Sequence, residues 1–157
     1  MTFRFSILIV ALLLAGCRDF SVDADGDPGT PNGSERQVAK LNVPFEVEFG
    51  EQVILDETGL RIEFSLLAEE SRCAAQVQCV QAGRAGVVLT VHDHQDVRYQ
   101  LVAYIPGLVA TPYRFNDIIQ FQDLRFRLLR VNPYPQEGHP VRESEYSVLL
   151  EVEPNGF

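Results

Sequence analysis

Apolar residues alternate with polar residues over most of the chain beyond residue 38, and this period of two limits the possible fold more than any other feature. Successive side chains of a β-strand point to opposite faces of the sheet, so each run has one buried face and one wet face. No stretch combines helix caps with apolar residues three and four positions apart. The apolar members of the runs are Phe45, Val47 and Phe49; Leu60, Ile62, Phe64 and Leu66; Val87, Leu89 and Val91; Val97, Tyr99 and Leu101; Leu124, Phe126 and Leu128; and Tyr146, Val148, Leu150 and Val152.

Turn-forming residues separate these runs from one another and from a further apolar run, Val53-Ile54-Leu55, and they divide the region into about seven short strands. There is no internal repeat, no parallel β-α-β pattern and no sign of a second domain. The pattern predicts an all-β domain over residues 39–157, an antiparallel β-sandwich of immunoglobulin-like type, with a small β-barrel as the alternative.

The amino-terminal segment 1–16 has the composition of a signal peptide. Arg4 precedes a short apolar core, which is too short to cross ~30 Å of hydrocarbon as a helix. The next four residues, Leu14-Ala15-Gly16-Cys17, resemble the lipobox of bacterial lipoproteins at every position. The resemblance implies cleavage before Cys17, a diacylglycerol on its sulfur and acylation of the new amino terminus. An ordinary cleaved signal peptide is the alternative.

The expected location is the cell envelope, with the membrane as a partner through the lipid on Cys17, because two or three acyl chains hold a protein stably on a bilayer. Arg18, rather than Asp, follows the cysteine. That arrangement resembles the outer-membrane sorting pattern, so in a bacterium with two membranes we expect the outer membrane, facing the periplasm.

Residues 17–38 are rich in acids, glycine and proline, and we expect the lipidated cysteine to be followed here by a flexible tether. Asp23, Asp25 and Asp27 have the first spacing of a calcium-binding loop. The rest of that motif fails, because Pro28 stands where the loop needs glycine and Ser34 where it needs a bidentate glutamate. A solvated linker is therefore the preferred interpretation.

Two cysteines remain once Cys17 is assigned to lipid, and in an exported protein Cys73 and Cys79 are expected to form a disulfide. Metal binding by the two thiolates is the alternative. Two ligands do not complete a tetrahedral site, and cysteine pairs in zinc sites usually have closer spacing. The Cys-x-x-Cys pattern of redox enzymes is absent from the sequence.

The segment from Glu70 to Gly83 resembles the signature Asp-Ser-Arg-Cys-Pro-x-x-Val-x-Cys-(Val/Ile)-Trp-x-Gly of small, uncharacterised bacterial secreted proteins and lipoproteins. Glu70, Ala74 and Gln81 stand where the signature has Asp, Pro and Trp. Similar stretches at 45–51, 131–135 and 145–148 extend the likeness over most of residues 43–153. The resemblance implies a β domain with a disulfide between Cys73 and Cys79, and it indicates no particular activity. The matching residues are Ser71, Arg72, Cys73, Val77, Cys79, Val80 and Gly83.

Several residues in and near this segment are candidates for recognition. Arg72 and Glu70 would either hold the cysteine loop closed or face a partner. Loops rich in proline and tyrosine occur at 104–113 and 132–138, a composition that recognition surfaces use and that also protects strand edges. The tyrosines that would line a concave patch are Tyr104, Tyr113 and Tyr134.

His92 and His94 are weak metal-site candidates, with His139 as a distant third ligand. Two histidines two positions apart on a strand point to the same side and would share an ion such as zinc or copper. The segment 92–96 also has the polarity of a solvent-exposed hairpin tip. We therefore expect no metal and no other cofactor.

The formal net charge of −9 argues against nucleic-acid binding, which requires a basic face. The chain lacks the motifs of nucleophilic enzymes and the glycine-rich loops that bind phosphate. We expect a non-enzymatic binding or structural module of the envelope, whose partner is a protein or a glycan. The alternatives are inhibition of an exported hydrolase, a lysozyme or a protease, by loop 71–83 or 132–138, and metal binding at His92 and His94.

Overall fold

The structure, a computed structural model, describes residues 37–107 and 117–156. Within these ranges the chain forms nine strands and one short 3-10 turn, Glu143–Glu145. The strands are β1 (Gln37–Ala39), β2 (Phe45–Glu48), β3 (Gln52–Leu55), β4 (Leu60–Glu70), β5 (Arg84–His92), β6 (Arg98–Pro106), β7 (Ile118–Phe121), β8 (Leu124–Asn132) and β9 (Ser147–Pro154).

The strands form two sheets, with the orders β1-β3-β4-β5-β6 and β2-β9-β8-β7. Strand β1 runs parallel to β3, and the other neighbours are antiparallel. Strands β3 to β6 follow one another both in the chain and in the sheet. The prediction of an antiparallel β-sandwich is confirmed, and the alternative of a closed barrel is not.

The core lies between the sheets and consists of the inward-facing members of the alternating runs. Burial of an aliphatic or aromatic side chain of this size contributes about 1.5–3 kcal/mol. Phe64 also meets the ring of Phe49 edge-on, at 5.3 Å between ring centroids. The fully buried side chains include Val47, Val53, Leu55, Ile62, Phe64, Val87, Leu89, Phe126, Val131, Val148 and Leu150.

Strand β4 departs from the predicted alternation at Leu66, which the pattern places on the buried face with Phe64. The structure leaves Leu66 47% exposed, and Leu67 packs against the core instead. The cause is a register shift between Phe64 and Leu66 in the β4–β5 ladder. The extra residue exchanges the faces of Leu66 and Leu67, and a second register shift follows between Leu67 and Glu69.

Two strands were not predicted, and both are short. Strand β1 has three residues and includes the last two positions of the expected linker. Strand β7 has four residues, none of them fully buried, so its apolar residues give no clear alternation. It joins β8 through the two residues Gln122 and Asp123, with Gln122 at a positive φ of 52°.

The sandwich has two ends, which we name by what lies there. Strands β4 and β8 end and β5 begins at the loop end. Glu70 of β4 pairs there with Ala85 of β5. The side chain of Arg72, just beyond β4, reaches the carbonyl of Val131 near the end of β8. At the hairpin end lie the turns 56–59 and 93–97.

Candidate functional site

Two loops meet at the loop end of the sandwich. The disulfide loop, residues 71–83, connects β4 to β5, and the proline loop, residues 132–138, leaves β8 toward the 3-10 turn. The Asn132–Pro133 peptide bond is cis. Both loops were singled out from the sequence, but their 49-residue separation (132 − 83) gave no sign that they touch.

Arg72 connects the two loops from inside. Its side chain is 3% exposed, and its guanidinium binds the carboxylate of Glu70, with Nε donating to Oε1 at 2.8 Å and to Oε2 at 3.0 Å. On the other side, Nη1 donates to the carbonyl of Val131 at 2.7 Å and Nη2 to that of Pro133 at 3.1 Å. Charge-assisted bonds of this kind are about twice as strong as neutral ones. Each nitrogen of the guanidinium therefore has an acceptor within the domain, so the contacts of Arg72 are structural.

Tyr134 and Ala75 add a second connection between the loops. The hydroxyl of Tyr134 donates to the carbonyl of Cys73 at 2.9 Å, and the guanidinium carbon of Arg72 lies 4.9 Å from the centre of the tyrosine ring. The amide of Ala75 donates to the carbonyl of Pro135 at 2.8 Å. The first part of the disulfide loop, residues 72–75, is thus joined to the proline loop by both side-chain and backbone bonds.

The predicted disulfide joins Cys73 to Cys79, whose Cα atoms are 6.0 Å apart. The base of the loop closes by backbone bonds, from Ser71 to the carbonyl of Arg84 at 2.8 Å and from Cys73 to that of Ala82 at 2.9 Å. Gly83 takes a positive φ of 64° here, and a Cβ at this position would lie 1.7 Å from the carbonyl oxygen of Ser71. Only glycine fits this turn.

Glu70 is the second buried member of the site, with 17% of its side chain exposed. The phenol of Tyr146 lies nearby. Burial, followed by the negative charge of Glu70, raises the pKa of Tyr146, while the positive charge of Arg72 partly opposes the rise. The ion pair of Arg72 and Glu70 therefore lies beside a phenol whose pKa is raised.

The tip of the disulfide loop, residues 76–81, projects an aliphatic residue into solvent. Val80 is fully exposed, with a relative accessibility of 102%, and Val77 is also exposed. No residue from 73 to 83 carries a charge, in a chain with 22% charged residues. The uncharged run is visible in the sequence, but the exposure of Val80 could not be predicted from it.

A cleft of about 410 Å³ opens beside the proline loop. Gln136, one of its lining residues, pairs through its backbone with Ala75 of the disulfide loop. The cleft therefore lies beside the disulfide loop. The lining residues are Pro135, Gln136, Gly138, His139, Pro140, Val141 and Tyr146.

The two candidate tyrosines within the described residues, Tyr134 and Tyr104, have different surroundings. Tyr134 lies between the two loops, as described. Tyr104 lies across from Gly86 on the outer face of the first sheet, with the guanidinium carbon of Arg84 4.6 Å from its ring centre. Tyr113 and the lipid candidate Cys17 lie outside the described residues, as do Asp23, Asp25 and Asp27 of the calcium-like segment.

The histidine candidates lie at the hairpin end, away from the loops. Nδ1 of His92 is 3.1 Å from Oδ1 of Asp96, which also binds Arg61, and Nε2 is 3.9 Å from Glu63. The ring of His94 lies against Gly59. His139 lines the cleft at the loop end instead.

Residues 37–107 and 117–156 contain no group of three or more histidine, cysteine or acidic side chains arranged to hold a metal ion. They also contain no helix that is long and apolar enough to span a bilayer. Comparisons of the chain with protein-family models, with curated proteins and with solved structures found no match. The resemblance of residues 70–83 to the secreted-protein signature therefore stays a prediction.

Proposed function

We propose that this protein is a lipid-anchored protein of the cell envelope and that its β-sandwich is a non-enzymatic binding module. The lipobox supports the anchor through Cys17. One structural observation carries the binding role: Val80 is fully exposed on a loop that the disulfide, Arg72 and the proline loop hold in place. The partner is a protein or a glycan of the envelope.

The physical reason is that a preformed loop loses little conformational entropy on binding. Ordering a flexible surface loop costs about 0.5–1.5 kcal/mol for each side chain immobilised, and a loop that is already ordered avoids much of that cost. An exposed aliphatic side chain also gains free energy when a partner removes it from water. The disulfide-loop tip combines both properties.

The anchor is tested by mass spectrometry of the mature protein. We expect a chain that begins at Cys17 and carries the mass of a diacylglycerol plus an amide-linked acyl chain. The variant Cys17→Ser should be neither lipidated nor retained in membrane fractions. An unprocessed amino terminus in the native protein would contradict the proposal.

The binding role is tested with two matched variants of the soluble domain. Val80→Asp changes the exposed tip at the loop end, and Val97→Asp changes a valine that is 43% exposed at the hairpin end. Both domains are immobilised and exposed to envelope extracts containing proteins and glycans. We expect wild type and Val97→Asp to retain the same partner and Val80→Asp to lose it. A domain that retains nothing, or two variants that retain equally, would contradict the binding role.

A second candidate function is inhibition of an exported hydrolase, because a preformed loop with an exposed aliphatic side chain at its tip is suited to insertion into an active-site cleft. The soluble domain is assayed against lysozymes and secreted proteases, with Val80→Asp as the inactive control. Inhibition by the wild-type domain alone would favour this role. The absence of inhibition at micromolar concentrations of the domain would contradict the inhibitor role.

A further inference from the structure

The charge of the surface beside the disulfide-loop tip indicates the chemistry that a partner needs. Residues 133–146 contain three carboxylates and one guanidinium, a formal charge of −2 with histidine neutral. Within the described ranges, Arg142 is paired with Glu145, and neither Glu137 nor Glu143 has an ion-pair partner. Glu137 is exposed and lies in the chain between two lining residues of the cleft, Gln136 and Gly138. Glu143 is exposed in the 3-10 turn, where its carboxylate accepts the backbone N–H of Leu67 at 3.2 Å. We call these two residues the acidic flank.

The tip itself is uncharged, and the positive charges at its base are already neutralised. Arg72 is paired with Glu70 inside the domain, and Arg84 is paired with Glu69 at 2.7 Å on the surface. Hydrogen bonds from Arg84 and Ser71 lower the pKa of Glu69, which favours its carboxylate form. The disulfide-loop tip is thus a neutral aliphatic protrusion, and the neighbouring segment 133–146 carries the two carboxylates of the acidic flank.

We infer that the partner of this surface is a protein with an apolar pocket bordered by lysine or arginine side chains. The pocket receives Val80, and the basic border faces the acidic flank. Charge complementarity speeds the encounter and fixes the orientation, whereas the buried aliphatic contact sets the lifetime of the complex. This inference rests on the proposed binding function and adds the chemistry of the partner.

A membrane surface is the competing occupant, and the charges of the loop end disfavour it. Anionic lipids attract basic segments, whereas the residues beside the tip are acidic. The segment 73–83 also contains no lysine, arginine or aromatic residue, and these residue types anchor proteins at lipid interfaces.

The test uses the full lipidated chain in isolated envelopes, with the photoreactive amino acid p-benzoylphenylalanine at position 80 and, as a control, at position 97. Position 80 is fully exposed and tolerates the larger side chain. We expect one protein adduct at position 80 and none at position 97. Sequencing of the adduct should place the crosslink in an apolar pocket bordered by basic residues.

Charge variants separate this inference from the proposed function. Glu137→Lys with Glu143→Gln raises the charge of the loop end by three, and the amide introduced by Glu143→Gln keeps an oxygen that can accept the backbone N–H of Leu67. Asp56→Lys with Glu57→Gln makes the same change at the hairpin end. We expect the first pair to reduce the adduct by about tenfold and the second to leave it unchanged.

Each remaining outcome decides one claim. An adduct that neither pair of charge variants reduces would overturn the inferred basic border and leave the binding function intact. A phospholipid adduct at position 80 would overturn the protein partner. No adduct at position 80 above the level at position 97 would overturn the proposed function itself.

Discussion

Arg72 and Glu70, two residues apart, form a buried ion pair that also holds two distant loops together. The Glu70 carboxylate accepts from the side chain of Arg72 and, at 3.1 Å, from its backbone amide. The remaining guanidinium donors reach the carbonyls of Val131 and Pro133. One side chain therefore connects the end of β4 to the end of β8, and the shape of the loop end depends on it.

Removing the guanidinium should be strongly destabilising. Arg72→Ala leaves a buried carboxylate and two carbonyls without donors, and breaking one side of a buried pair costs about 3–5 kcal/mol. Arg72→Lys should recover only part of the loss, because an ammonium cannot make the two-pronged contact. The free energy of unfolding in urea measures both effects.

The control is the neighbouring surface pair. Arg84 is 47% exposed and pairs with Glu69, so Arg84→Ala should cost less than about 1 kcal/mol. Equal losses for Arg72→Ala and Arg84→Ala would show that the buried contacts have no special role.

Gly83 provides a test of the turn at the base of the disulfide loop. Gly83 and Gly138 both have positive φ, but a methyl group at Gly138 would meet nothing within 4 Å, whereas at Gly83 it would collide with the carbonyl of Ser71. Gly138→Ala should cost about 1–2 kcal/mol from backbone strain alone. Gly83→Ala should lower the midpoint of thermal unfolding clearly further, and similar midpoints would contradict the predicted collision.

The disulfide should add a moderate amount of stability. For the short loop that Cys73 and Cys79 close, the chain-entropy estimate is about 2–2.5 kcal/mol. The double variant Cys73→Ser/Cys79→Ser should lose about this much in urea unfolding while keeping the fold, because Arg72 and Tyr134 still join the loops. Reduction of the wild-type protein with dithiothreitol should give the same loss, and no loss by either route would contradict the prediction.

Acid should destabilise the domain partly through Asp93 at the hairpin end. Backbone amides, that of Val97 first and then that of Gln95, donate to its carboxylate and hold its pKa below the usual 3.8. The unfolded chain therefore binds a proton at a higher pH than the folded one. The resulting stability is complete above about pH 4 and is lost as the pH falls through the folded-state pKa.

Asp93→Asn isolates this contribution, since an amide oxygen still accepts both backbone bonds but does not titrate in this range. Urea unfolding of both proteins between pH ~5 and ~3 gives the comparison. We expect the variant to lose less stability over this range than wild type. Parallel losses would show that Asp93 does not contribute to acid unfolding.

The sequence predicted the strands whose side chains reach the core and missed those with little buried surface. The alternation of Leu60, Ile62 and Phe64 indicated β4 correctly, because only one register buries all three. The position of Leu66 could not be predicted, since a bulge depends on the neighbouring strand rather than on local residue types.

The candidate site was predicted in parts but not as a whole. The Cys73–Cys79 disulfide followed from the number of cysteines in an exported chain, and the roles considered for Arg72 and Glu70 included closure of the loop. The contact of Arg72 with the proline loop depends on β4 and β8 ending at the same end of two sheets, and residue spacing does not contain this information. The same reason explains why Tyr146 was not proposed as a site residue.

The central claim is that the disulfide loop and the proline loop form one ordered unit before any partner binds. Hydrogen exchange of the backbone amides of Cys73 and Ala75 tests it most directly, because both are bonded to carbonyls at the loop end. In the isolated domain we predict slow exchange at both amides, and much faster exchange of Ala75 in Arg72→Lys. Exchange of both amides at the rate of an unstructured peptide in the wild-type domain would contradict the account.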